Sequence, residues 1–336
     1  MPQITALMTT YNSASHLRAT MDSILAQTYS DFEFLILDDG STDNTVDIIK
    51  QYNDERIRLI EHEENKGVGY RLNQALSLIN TRYIAKVDSD DISVPERFEL
   101  QLGYLGQHPE LSIVKSYFEY FTEDSEVADS ERFHEFRRVR EREHNSINTP
   151  ELISTTLMRY SCVIHTSYFA YSDVVKTLGY EPVRVGEDYS LFFRAVKAGI
   201  KIGCVPEKLV QMRLSNSSVT TKPDSAMHFA DTLCRLKISE LNQLAKLHGQ
   251  LWLYGTGALA KALLQCLRQH NIECAGFIDR TAGSIELPDV GSFAVLALNQ
   301  SVPKGVIIAA QPVRNELSQF FIEAGWREWT DFMVIA

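Results

Sequence analysis

The chain has 336 residues, 44% of them hydrophobic, which is enough to bury a sizeable core and favours one large domain plus a smaller one over a single unit. A formal net charge of -11 excludes broad nucleic-acid affinity, because phosphate contacts need a concentrated basic surface. There is no run of about 18 apolar residues, and the amino terminus MPQITALMTTYN lacks the charged-then-apolar layout of a secretory signal. A cytoplasmic protein is therefore expected, with peripheral contact at the inner face of the cell membrane left open.

The first half alternates short apolar strands with amphipathic helical segments, the pattern of an α/β domain with a mostly parallel sheet. ITALMT reads as a strand, TYNSAS as a turn and HLRATMDSILAQ as a helix. FEFLIL is the next strand, ending on Asp38-Asp39-Gly40, and STDNTVDIIKQY opens with capping chemistry before a helical run. RIRLIE and VGYRLNQALSLI give a third strand and helix. RYIAKV, the fourth strand, delivers the acidic stretch KVDSDD. Polar clusters at Thr9 to Asn12, Asp38 to Asp43 and Asp88 to Asp91 thus fall at the carboxyl ends of strands, where open α/β sheets bind ligands.

Beyond Pro95 the spacing predicts a helix over ERFELQLGYLGQH and a strand over LSIVKSYFEYF, then a less regular middle section. Within it, ERFHEFRRVREREH holds five arginines among glutamates, either a solvated salt-bridged helix or a face for an anionic acceptor or lipid headgroup. Helical spacing returns in VGEDYSLFFRAVKAG. A connecting helix is predicted from about Met227 to His248, after which a βαβ pattern starts afresh. The expected organisation is a catalytic domain over 1–222, a helical linker over 223–248 and a small domain over 249–336. The cysteines, Cys162, Cys204, Cys234, Cys266 and Cys274, lack the spacing of a zinc site or disulfide framework and read as reduced thiols.

Taken in order, TTYN, LDDGSTDNT, NKGVGYRLNQAL, VDSDD with PERF, and GEDYSLFFRA resemble the glycosyltransferase family 2 pattern on a GT-A fold, over roughly residues 1 to 220. The resemblance implies transfer of a sugar from a nucleoside diphosphate donor to an acceptor hydroxyl, with inversion and with Mn²⁺ or Mg²⁺. That agrees with the acids: a departing diphosphate builds charge on oxygen, and an oxygen-coordinated divalent cation acts on it as a Lewis acid. By resemblance Asp90 touches the metal, Asp88 the ribose or the metal shell, and Ser89 belongs to the nucleotide loop. Asp91 either joins them or caps the helix starting near Pro95.

The same resemblance places Thr9 and Tyr11 around the base, with Tyr11 offering a stacking face. It makes Asp39 the carboxylate that reads the imide N–H of uracil or thymine, Asp38 being the alternative, and it faces Arg71 toward the nucleotide. Asp188 matches the catalytic base, and Glu187 beside it an acceptor contact or second carboxylate. His165 falls on a segment bordering the acceptor, where ordinary core duty is the competing reading. Two departures stand out. QMRLSNSSV carries Ser215 where many relatives have a histidine, which weakens a three-ligand metal site, and no QxxRW signature of processive synthases is present, favouring one sugar per encounter.

YGTGALA sets Gly255, Gly257 and Ala260 in a G-x-G-x-x-A turn, with Asp279 ending the next strand, as dinucleotide-binding sites require. The sequence runs only about one mononucleotide-binding half beyond that turn, so packing, homo-oligomerisation or partner docking competes with nucleotide binding there. The expected function is an inverting, metal-dependent transfer from a UDP- or dTDP-sugar to a glycan or lipid-linked glycan, in bacterial surface polysaccharide synthesis. An NAD(P)-dependent sugar-nucleotide oxidoreductase and a non-catalytic sugar-nucleotide sensor are the alternatives.

Overall fold

A computed structural model describes residues 2–215, 224–287, 290–299 and 301–336. The chain divides into two compact units, Met1–Ser218 and Val219–Ala336. The first is built on strands β1 (Ile4–Thr10), β2 (Phe32–Asp38), β3 (Ile57–Ile60) and β4 (Tyr83–Val87), with helices α1 (Leu17–Leu25), α2 (Thr45–Lys50) and α3 (Val68–Leu76) as crossovers. β1 pairs in parallel with both β2 and β4, and β2 with β3. Ile4, Ala6, Leu7 and Met8 of β1 are all fully buried, which is why this strand reads as a near-continuous apolar run and not as an alternation.

After β4 come β5 (Ile92–Ser93), α4 (Arg97–Gln107) and β6 (Ile113–Phe121), then the short helices α5 (Ser125–Ala128) and α6 (Glu131–Glu135), a π-helical turn at Phe136–Arg140, α7 (Glu141–Ser146) and α8 (Pro150–Arg159). β7 (Phe169–Tyr171), α9 (Ser172–Leu178), α10 (Glu187–Lys197) and β8 (Ile202–Arg213) complete the unit. The sheet order is β3-β2-β1-β4-β7-β6-β8-β5, with β7 antiparallel to β4 and β6, and β5 antiparallel to β8. Because the chain runs from β1 outward to β3 and returns to β4 on the other side of β1, the switch point lies between β1 and β4, and their carboxyl ends open a crevice.

The arginine-rich segment is only partly solvated. Phe133 packs with Phe118, Tyr120, Val127, Val210 and Leu214, the Arg140 guanidinium lies 4.3 Å from the Phe136 ring centre, and the Glu141 carboxylate accepts from the backbone N–H of Tyr120 at 3.1 Å. At the other end of the unit, a Cβ on Gly69 of α3 would stand 2.3 Å from the carbonyl oxygen of Glu181. Glycine there lets the segment leading into α10 lie directly on α3.

The second unit holds α11 (Ser225–Leu236), α12 (Ile238–His248), β9 (Leu251–Tyr254), α13 (Ala258–Gln269), β10 (Cys274–Asp279), β11 (Gly283–Leu287), β12 (Gly291–Ala297), β13 (Val306–Ile308), α14 (Arg314–Glu323) and β14 (Phe332–Val334). Its sheet order is β11-β12-β10-β9-β13-β14, parallel apart from the β11–β12 hairpin. The single helix expected over 227–248 is two helices. Lys237 interrupts it, fully buried, with its ammonium donating to the carbonyl of Ile335 at 2.8 Å; fixing a buried cation on the last strand takes precedence over helical continuity. Both helices belong to the second unit, and α11 packs along α13. All five cysteines are free thiols, and four of them are buried. Among the described residues no helix is long and apolar enough to cross a membrane.

Candidate active site

Three loops meet at the crevice. Asn12, at φ 51°, turns the chain after β1 so that its backbone N–H donates to the Ser41 hydroxyl at 2.9 Å and its side-chain oxygen accepts from the backbone N–H of Thr42 at 2.8 Å. The backbone N–H of Ser13 donates to the Thr45 hydroxyl at 2.8 Å. Across the switch point the Ser13 and Ser89 hydroxyls are hydrogen-bonded at 2.8 Å. Thr9 is half-buried at the end of β1, and Tyr11 leaves 45% of its surface open to solvent beside these loops. Ser13 carried no signal in the sequence beyond being polar and near a strand end.

Asp38 and Asp39 are both buried. The Asp38 carboxylate is consumed by the backbone N–H groups of Gly40 and Ser41, at 3.1 and 2.9 Å, so it shapes the turn. One oxygen of Asp39 accepts from the backbone N–H of Lys66 at 2.9 Å and from Arg71 Nε at 2.6 Å; the other accepts from the backbone N–H of Gly67 at 2.8 Å. Arg71, which the resemblance faces toward the nucleotide, is 3% exposed, and its remaining nitrogens reach Gln74 at 3.0 Å and the carbonyl of Glu64. A guanidinium fork inside the fold satisfies Asp39 and ties it to the 64–67 loop. Arg71→Leu leaves a buried carboxylate unpaired and is expected to cost about 3 kcal/mol or more, read as a lowered urea midpoint with an unchanged slope.

The acidic loop is held from inside the sheet. Lys86, fully buried in β4, is ion-paired with Asp88 and donates to the carbonyl of Val87 at 2.7 Å. Burial alone raises the Asp88 carboxyl, but the Lys86 ammonium holds it below the ordinary range. Asp90 is pushed up to about 6, by burial first and then by the Asp88 charge. Asp91 does not cap α4, whose amino end has no side-chain cap; it is buried and accepts from the backbone N–H of Arg213 at 2.8 Å. Arg213 Nε donates to the carbonyl of Asp90 at 2.9 Å, and its Nη2, buried as well, has no hydrogen-bond partner among the described residues. Arg97, fully buried beneath the loop, donates to the carbonyl of Lys86 at 2.8 Å. Lys86, Arg97 and Arg213 were missed as site residues, although KVDSDD and PERF contain the first two.

α10 brings the second set of acids. Its amino-terminal cap, Gly186, sits at φ 86°, a left-handed conformation that glycine adopts without strain, and this places Glu187 and Asp188 in the first turn. Glu187 is pushed up to about 8 by burial and by the neighbouring Asp188. Asp188 is pushed up only to about 6, burial being opposed by the backbone N–H of Tyr189 at 2.6 Å. Both carboxyls are thus raised above the ordinary range, Glu187 further than Asp188. His165 lies 3.8 Å from Glu187 and 3.3 Å from the Tyr180 hydroxyl; burial and Lys86 push it down to about 3, so its imidazole is neutral. The charge of Asp88 reaches Glu187, Asp188 and His165, which joins the two acid sets into one electrostatic network.

A divalent cation fits this network as an incomplete donor set. Among the described residues no three His, Cys, Asp or Glu side chains group as a full metal site. The carboxylate of Asp90, raised by burial and then by its neighbour's charge and without an ion pair among the described residues, together with Asp88, matches how Mg²⁺ is commonly held, by one or two carboxylates plus substrate phosphates. Gly255, Gly257 and Asp279 lie in the second unit, where they line a separate cavity.

The Glycosyl transferase family 2 domain matches residues 5–164. "Putative glycosyltransferase EpsE" of Bacillus subtilis (strain 168) is 30% identical over 249 residues, 70% of this chain and 84% of EpsE. The chain belongs to glycosyl transferase family 2, and it is a glycosyltransferase. Also similar, at 29% identity over 201 residues, 60% of this chain and 73% of the relative, is the Escherichia coli protein WfaP, named a UDP-Glc:alpha-D-GlcNAc-diphosphoundecaprenol beta-1,3-glucosyltransferase. Among solved structures, S. aureus TarS 1-349 in complex with UDP-GlcNAc superposes with a TM-score of 0.55 at 17% identity, over 80% of this chain and 72% of that one. The mannosyltransferase PcManGT from Pyrobaculum calidifontis, in complex with GDP-Man and Mn²⁺, gives 0.50 at 19% identity, over 79% and 69%. These neighbours define the fold as that of the GT-A glycosyltransferases.

Proposed function

We propose that this glycosyltransferase moves one sugar at a time, with inversion, from a UDP- or dTDP-sugar to an acceptor hydroxyl on a glycan or lipid-linked glycan. The carrying observation is the placement of two neighbouring carboxylates, Glu187 and Asp188, in the first turn of α10, both within reach of the charge of the acidic loop. Direct displacement needs an ionised base on the acceptor side and an electropositive seat on the leaving-group side.

In this reading Tyr11 stacks on the base and Thr9 borders it. The Asp39 oxygen that takes a single hydrogen bond, from Gly67, accepts the imide N–H of uracil or thymine, while Arg71 fixes its orientation. Ser89, locked to Ser13, and Asp88 position the ribose and diphosphate. Asp90 and Asp88 would hold Mn²⁺ or Mg²⁺, which supplies Lewis acidity at the departing diphosphate. Glu187, a hydrogen-bond donor when protonated, orients the acceptor with the neutral His165 behind it. Asp188 takes the acceptor proton as the new bond forms. The name of WfaP supports a lipid-linked diphosphate acceptor, and such an acceptor sets the enzyme to work at a membrane surface. Family membership displaces the oxidoreductase reading.

The test is nucleotide release from UDP-glucose, UDP-N-acetylglucosamine, dTDP-glucose and GDP-mannose, in Mn²⁺ and in excess chelator. Release is expected with uracil or thymine donors and is lost on chelation. Turnover only with GDP-mannose removes the base-reading role of Asp39, and donor binding without any release makes the protein a sensor.

A further inference from the structure

The second unit carries a cavity of its own, about 380 Å³ in volume. It opens at the carboxyl ends of β9, β10 and β13. The chain runs from β9 to β10 on one side and returns to β13 on the other, so the cavity sits at a second switch point, the place where open parallel sheets take ligands. None of the residues assigned to sugar transfer belongs to it.

Its two ends differ in chemistry. At one end α13 begins at Ala258 with no side chain capping it and no acidic residue in its first turn. Its leading N–H groups and the positive end of its dipole are thus left for an anion. Gly257 opens onto the same end. Its φ of -74° is open to any residue, and no heavy atom lies within 4 Å of where a Cβ would stand, so neither backbone strain nor protein packing demands glycine there. At the other end is Asp279. Thr256 Oγ1 donates to one of its oxygens at 2.8 Å and the backbone N–H of Arg280 to the other at 2.7 Å. The carboxylate is fixed, and each oxygen keeps a lone pair for a further donor. Ala309 and Ala310 form the facing wall.

We propose that this cavity binds a nucleoside diphosphate, with phosphate at the α13 end and the ribose hydroxyls on Asp279. An anion site and a fixed hydroxyl acceptor within one crevice are the two halves of that recognition. The moiety occurs both in a dinucleotide and in a sugar nucleotide, and the chemistry is the same for either.

The experiment is calorimetric titration of the full chain with NAD⁺, UDP-N-acetylglucosamine and inorganic pyrophosphate, repeated on Gly257→Leu and Asp279→Ala. Both substitutions lie in the second unit, and nucleotide release by the transferase site, measured alongside, reports on the first. One site for NAD⁺, or a second site for UDP-N-acetylglucosamine beyond the transferase site, is expected in the native protein; which of the two ligands binds identifies the source. Gly257→Leu removes that site, and Asp279→Ala weakens it about ten-fold or more, as loss of hydrogen bonds to a charged group does. Should Gly257→Leu fail to fold, Asp279→Ala decides alone. The proposal is overturned if neither nucleotide binds beyond the transferase site at millimolar concentration, if binding persists in both variants, or if pyrophosphate binds as tightly as the nucleotides.

Discussion

Asp188→Asn is expected to lower turnover by about two to four orders of magnitude, the usual worth of a positioned base, while donor affinity stays within a few-fold. Asparagine preserves the shape and the contact with the backbone of Tyr189 but cannot take a proton. The native enzyme supplies a second reading of the same group. With Asp188 pushed up to about 6, kcat/KM at saturating metal should fall as pH drops through that value, because the base becomes protonated, and the acid limb should vanish in the variant. Glu187→Gln is the control. Burial and the Asp188 charge raise Glu187 further, to about 8, which favours its neutral form, so its amide mimic should retain more of the native activity than Asp188→Asn does. If Glu187→Gln is the variant that loses turnover while Asp188→Asn keeps it, the two roles are exchanged; if donor binding collapses in Asp188→Asn, that residue belongs to the nucleotide site.

The second large effect is expected from Asp90→Asn, which should reduce metal-dependent turnover by about three orders of magnitude, since a cation stabilising leaving-group charge is worth several kcal/mol and each 1.36 kcal/mol is ten-fold. Stability should move the opposite way. The folded-state pKa of Asp90 is raised by burial and by Asp88, so its ionised form is disfavoured by the fold at neutral pH, and a neutral amide removes that cost. Asp88→Asn behaves differently: it strips the partner from the fully buried Lys86 and should destabilise the protein. Melting in chelator separates the cases, with Asp90→Asn at or above the native midpoint and Asp88→Asn below it. If the order is reversed, Asp90 and not Asp88 is the structural carboxylate of the loop.

The strands that build the crevice were legible because both their faces are largely buried, so β1, β2 and β4 appear as mostly apolar runs, each with a single polar residue, Thr5, Glu33 or Lys86, inside it and polar clusters at their ends. β7, three residues long, and β5, two residues long, are too short to carry a period; their pairing is tertiary, β7 joining β4 to β6 and β5 covering the edge of β8. The broken helix at Lys237 was hidden because a lysine suits any helix surface, and nothing local shows that this one is buried against Ile335. The site divides in the same way. The acids Asp88, Asp90, Glu187 and Asp188 stand out by type and spacing. What each does depends on burial and on partners distant in sequence: Arg71 turns inward onto Asp39 across 32 positions, and Arg213 reaches back 123 positions to Asp90. No pattern in a window of residues contains that.

The internal ammonium of Lys86 has a consequence for metal binding. A loop whose first carboxylate already owns a permanent counter-ion keeps its shape while empty and attracts free cations with only part of its formal charge. If Asp88 and Asp90 hold a divalent cation as proposed, that pairing would leave the loop a weak binder of free metal, and the phosphates of the donor would supply the ligands the protein does not.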